Sequence, residues 1–115
     1  MNAPGNASFR FFTCKTIYMR TMLRVVMDVN AANKAIEDGS LPQIMQNTMD
    51  KLKPEAAYFH AFDGQRSCFM VFDLKDPSDI PSIAEPFFMK LQAKVELAPV
   101  MNAEDLKKGL AAIMK

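Results

Sequence analysis

The sequence has no tryptophan, a single histidine, two cysteines and four glycines, and its fourteen basic residues are matched by thirteen acidic ones. Each scarcity excludes something. Cys14 and Cys68 stand one in each half, with no CxxC pair and no adjacent histidine, so a thiolate zinc site lacks its ligands. Free thiols in a reducing compartment are the expectation. A formal net charge of +1 supplies no broad positive field for a phosphate backbone. There is no Gly-rich phosphate loop and no serine-nucleophile motif. No apolar run is long enough to span a bilayer, and the start, Met1-Asn2-Ala3-Pro4-Gly5-Asn6-Ala7-Ser8, lacks the charged and apolar regions of an export signal. The expected protein is cytoplasmic, with no cofactor, no bound metal, no membrane and no nucleic acid as a partner.

What is present is an ordinary globular composition, half apolar and about a quarter charged, over 115 residues. That is the length of one domain with a real core. Residues 1–18 differ from the rest and read as a leader: a flexible tail, an extra strand through Phe9–Tyr18, or sequence upstream of the true start at Met19 or Met22. Residues 19–115 read as the domain. From Met22 to Val29, Leu23, Val25, Met27 and Val29 alternate with Arg24, Val26 and Asp28, the period of a strand. Asn30 is placed to cap a short helix through Ala31, Ala35 and Ile36. After Asp38-Gly39, a second helix carries Leu41, Ile44, Met45, Thr48, Met49 and Leu52 on one stripe, with Ser40 and Gln43 in the form of a capping box.

Ala56–Phe62 and Arg66–Leu74 are aromatic and β-branched runs joined by Asp63-Gly64, a hairpin signal. If those two residues form the turn, Phe62 pairs with Gln65 and His60 with Ser67. Tyr58, His60, Ser67, Phe69 and Val71 then share one face, and Phe59, Ala61, Cys68, Met70 and Phe72 the other. Asp76-Pro77 opens a helix with Ile80, Ile83, Ala84, Phe87, Phe88 and Leu91 on its stripe, and Pro86 predicts a kink or restart. Ala93–Val100 reads as a fourth strand. Asn102 caps a last helix striped by Leu106, Leu110 and Ile113. The order strand, helix, strand, strand, helix, strand predicts an α+β, ferredoxin-like βαββαβ fold with a four-stranded antiparallel sheet plus a C-terminal helix.

Both main helices of that topology cover one sheet face. The other face would carry Tyr58, Phe62, Phe69, Val71 and Val26 beside Arg24, Asp28, His60, Lys94 and Glu96, and such a patch marks an interface. Here the chain resembles the dimeric α/β-barrel superfamily, whose small ferredoxin-like subunits pair through their sheets. More closely, Lys53-Pro54-Glu55-Ala56-Ala57-Tyr58-Phe59, Phe72-Asp73-Leu74-Lys75-Asp76-Pro77-Ser78 and Pro99-Val100-Met101-Asn102-Ala103-Glu104-Asp105-Leu106 are similar to a group of small uncharacterised bacterial cytoplasmic proteins. The resemblance covers nearly everything after Met19. It implies a homodimer with a ligand enclosed between the sheets, and a menu of cofactor-free monooxygenases, lactone isomerases and haem-handling enzymes. It transfers no catalytic residue.

His60, in mid-strand on the cavity-facing side, is the candidate catalytic group, able to exchange a proton near neutral pH. A histidine bonded to Ser67 or packed in a dimer seam is the structural alternative. Arg24 is the candidate anchor for a carboxylate or phosphate, with Glu96 or Asp28 to orient it, unless these are surface ion pairs. Tyr58, Ser67 and Phe69 complete the candidate ligand-binding set. The RNA-recognition motif shares the topology but needs stacking aromatics where β3 has Cys68 and Met70, and β1 has no aromatic, so that motif fails. Three functions stand: a small-molecule-binding homodimer for a partly apolar, anionic ligand; a cofactor-free enzyme using His60; and an assembly or regulatory subunit with no ligand.

Overall fold

The computed structural model describes residues 19–114, so expectations for the leader fall outside the described residues. The elements are β1 (Met19–Val26), α1 (Val29–Glu37), α2 (Ser40–Leu52), β2 (Ala56–Phe62), β3 (Gln65–Leu74), α3 (Ile80–Leu91), β4 (Lys94–Pro99) and α4 (Ala103–Ile113), with a single 3-10 turn at Pro77–Asp79 before α3. The strands form one sheet in the order β2-β3-β1-β4, every neighbouring pair antiparallel. This α+β arrangement is compatible with a ferredoxin-like fold.

Alternation decides the faces. Thr21, Leu23, Val25 and Met27 point into the core, where they meet Cys68, Met70 and Phe72 of β3 and Ala32, Ala35, Ile83, Phe87 and Leu91 of the helices. Burying each large side chain of this set stabilises the fold by about 1.5–3 kcal/mol. The stripe of α2 packs on the margin of that core, with Thr48 buried and Leu41, Ile44, Met45, Met49 and Leu52 partly so. Asp63 and Gly64 both have positive φ, 54° and 75°, the geometry of a two-residue hairpin turn. The resulting register pairs Phe62 with Gln65 and His60 with Ser67, as the turn signal predicts.

Four local expectations are corrected. β1 begins at Met19 and ends at Val26, because Asp28 rather than Asn30 caps α1: its carboxylate accepts the Ala31 N–H at 2.9 Å and Val29 becomes the first helical residue. The inward residues of α1 are Ala32 and Ala35, and Ile36 is exposed. Ser40 forms no capping box; Gly39, at φ 83°, precedes α2, and the Ser40 N–H donates to Asp38 Oδ1 at 2.8 Å. Finally, α3 runs through Pro86 as one helix, so it does not restart there. Pro86 has no N–H for the Ser82 carbonyl, and Lys51 Nζ of α2 donates to that oxygen at 3.4 Å.

Candidate functional site

The face of the sheet turned away from α1, α2 and α3 is a grid whose rows follow from the pairing. One row runs Glu96, Arg24, Phe69, Tyr58 across β4, β1, β3 and β2. The next runs Lys94, Val26, Ser67, His60, and the row on the other side runs Ala98, Met22, Val71, Ala56. The six candidates His60, Arg24, Tyr58, Ser67, Phe69 and Glu96 therefore occupy two adjacent rows. Strands about 4.8 Å apart bring such neighbours into side-chain contact.

The aromatic groups form a connected surface. Tyr58 and Phe69 lie 5.5 Å apart between ring centroids, and the His60 ring stands edge-on to Phe69 at 5.7 Å and to Phe62 at 6.5 Å. These separations fall in the favourable range for aromatic pairs. Tyr58 and Phe62 are nonetheless exposed, at 60% and 47%, more surface than their contacts within one copy would leave if this face were a finished core.

Polar groups punctuate that surface. The Arg24 guanidinium lies over the Phe62 ring, 5.5 Å from its centroid, a cation–π contact across the face. Glu96 is its register partner on the opposite side of β1, yet the ion pairs among the described residues, Arg20–Glu55, Arg20–Asp105 and Lys90–Asp38, include neither Arg24 nor Glu96. Glu96 therefore does not orient Arg24. Asp28, the other carboxylate expected to do so, is committed to the α1 cap. His60 is exposed and its Nδ1 lies 3.3 Å from the Ala61 carbonyl oxygen. Ser67 does not bond to it: Ser67 is buried at the foot of the grid and its hydroxyl donates to Gln65 O at 3.2 Å.

Several members of the face lie outside the predicted set of site residues, Met22 and Phe62 among them. Met22 follows from alternation alone. The stacking role of Phe62 depends on an arginine two strands away, and its only sequence signal was its parity with Tyr58 and His60. A separate cleft of about 460 Å3 lies behind the sheet, floored by Leu52, Phe72 and Ile83 and rimmed by Lys51, Lys53, Asp73 and Asp79. Lys51 already serves Ser82 O of α3, and Lys53 donates to Asp50 O at 3.3 Å in the last turn of α2, an end where cations are favoured.

Among the described residues no group of three or more His, Cys, Asp and Glu side chains converges to hold a metal ion, and no helix is long and apolar enough to cross a membrane. What fold and site define is an α+β protein with an open aromatic sheet face on which Arg24 and His60 stand among the rings. Comparison with protein-family models, curated proteins and solved structures finds no significant match.

Proposed function

We propose that this chain is a ferredoxin-like subunit that pairs through its open sheet face into a dimeric α/β barrel and holds a small, partly apolar, anionic molecule between the two sheets. The observation that carries the proposal is the row Glu96, Arg24, Phe69, Tyr58, with His60 beside it. Aromatic rings offer a planar ligand something to lie against, and a guanidinium held by a ring rather than by a carboxylate keeps its donors for an incoming anion. Proton transfer is the weaker reading of the same face. Among the described residues no carboxylate is hydrogen-bonded to the imidazole of His60, whose polar contact is the Ala61 carbonyl, so no anion stands beside the ring to support the imidazolium that acid–base work would form. Binding is the function that the geometry supports best.

The test is a thermal-shift comparison using benzoate and 2-naphthoate against the corresponding neutral amides. Ligand that binds only the folded state raises the melting temperature, so the acids are expected to stabilise the wild type more than the amides do. Arg24→Gln is expected to erase that preference, and Tyr58→Ala to weaken both. His60→Ala is expected to weaken binding while changing stability by only about 1 kcal/mol. A protein that dimerises but gains no stability from any of these probes, with Tyr58→Ala weakening the dimer instead, would establish the assembly reading in place of a ligand site.

A further inference from the structure

The last helix is an anomaly in a single copy. Its N-terminus is well made: Asn102 Oδ1 accepts the Asp105 N–H at 2.8 Å and Asp105 Oδ2 accepts the Asn102 N–H at 3.1 Å. Yet no residue of α4 is buried, and its stripe of Leu106, Leu110 and Ile113 is 47%, 49% and 75% exposed. An isolated helix shorter than about 12–15 residues is marginal in water, and Gly109 within this one costs about 1 kcal/mol relative to alanine. Such a helix needs a surface to lie on.

A matching surface exists at the far edge of the sheet. β2 ends the described sheet with the sequence Ala-Ala-Tyr-Phe-His-Ala-Phe, which has neither the lysine nor the proline that normally protects an edge strand; covering the edge with a helix is another of the usual devices. β4, the other edge, already carries Lys94, Glu96 and Pro99. Beside β2, Phe59 is 58% exposed and lines a groove of about 340 Å3 with Leu41, Met45 and Met27.

Symmetry connects the two. Val100 N–H donates to Arg20 O at 3.0 Å, and Arg20, on the open face by alternation with buried Thr21, reaches Asp105 at 3.8 Å. The helix thus starts on the side from which a second copy would approach. A two-fold axis along the strands reverses the order β2-β3-β1-β4, setting β4 of one copy over β2 of the other. The footprint of a sheet of this size, about 20 Å by 20 Å from strand spacing and rise, is roughly 400 Å2. A stable interface removes about 800 Å2 of accessible surface per partner, and a helix arm adds to what a four-stranded sheet face brings.

We infer that α4 is an exchanged arm: in the dimer, each copy's α4 lies along the partner's β2 edge, with Leu106, Leu110 and Ile113 set against Phe59, Leu41 and Met45. Homodimerisation, proposed above, is its premise. The arm protects an otherwise unguarded strand edge.

Sedimentation equilibrium of the full chain tests premise and inference separately. A wild type that is monomeric at micromolar concentration overturns both. If the wild type is dimeric, the variant Leu106→Asp/Leu110→Asp is expected to raise the dimer Kd at least about tenfold, with Phe59→Asp acting similarly; an unchanged Kd in both overturns the arm alone. Omitting residues 1–18 is expected to leave this dependence intact; if that deletion dissociates the dimer and the α4 variant does not, the leader is the occupant and the arm is overturned. In a Cys14→Ser/Cys68→Ala background, which removes the native thiol opposite position 59, Leu110→Cys protein mixed with Phe59→Cys protein is expected to give a disulfide between the two proteins. A bond formed instead within a single chain carrying both changes at high dilution overturns the exchange.

Discussion

Cys68 is fully buried on the inward face of β3, opposite Val25 and Phe59, and burial pushes its thiol up from 9.0 to about 11. Loss of the proton would leave a thiolate in an apolar core, which the fold resists. The folded state therefore keeps its proton between about pH 9 and pH 11 while the unfolded chain gives its own up, so the unfolded state binds fewer protons and stability falls as the pH rises through that window. Stability from this source is fully present below pH 9 and is reduced by about 2–3 kcal/mol near pH 11. Denaturant melts across that range are expected to show a steeper alkaline decline in the wild type than in Cys68→Ala, which should itself cost about 1 kcal/mol at neutral pH. Parallel pH profiles would show that the thiol is not the group responsible. Burial also makes Cys68 a poor nucleophile. At the same scale, the expected partnership of Arg24 with Glu96 failed because a long side chain has several neighbours to choose among, and here the ring of Phe62 won.

Among the elements, α3 shows how a packed neighbour can complete a helix that its own sequence interrupts. Pro86 leaves the Ser82 carbonyl without its helical donor, and Lys51, across the α2–α3 groove beside Ile44, Thr48 and Ile83, supplies one. A hydrogen bond of this kind contributes about 0.5–1.5 kcal/mol. Lys51→Met is expected to cost toward the lower end of that range, the pair being exposed. The same change in a Pro86→Ala background should cost close to nothing, because the restored N–H satisfies the carbonyl. Equal costs in the two backgrounds, measured by urea denaturation, would mean that Lys51 acts through its aliphatic stem alone. The proline is visible in the sequence, but a lysine thirty-five residues earlier is not visible as its remedy. Sequence pattern did identify the inward stripe of α2 and the faces of the hairpin, since each depends on periodicity and on the positive φ that Asp63 and Gly64 accept.

At the scale of the molecule, the large apolar groups of the described residues divide into a closed core and others left in water, among them Tyr58, Phe59, Phe62, Leu106, Leu110 and Ile113. Exposed apolar groups on the sheet face and on α4 are what a partner would cover. If the partner is a second copy and no stable folded monomer exists, folding is coupled to association and the melting temperature depends on concentration. Raising the protein from about 1 to about 100 μM is expected to raise the melting temperature by several degrees, since mass action contributes about 2.7 kcal/mol per hundredfold. A concentration-independent melt would oppose coupled folding and dimerisation.

The sequence by itself determined what depends on neighbours close along the chain: the strand and helix stripes, the Asp63-Gly64 turn and the side of β2 and β3 on which His60, Tyr58 and Phe69 stand. Alternation with period two and a tight turn leave little freedom once one face must be buried. Tertiary structure alone decided the rest. It set the start of α1, where Asp28 and Asn30 were both competent caps; it turned Arg24 toward Phe62; and it left the α4 stripe without cover in its own copy. Each of these is a competition between groups far apart in sequence or equal in local propensity, and only the packing of the whole chain ranks such competitors.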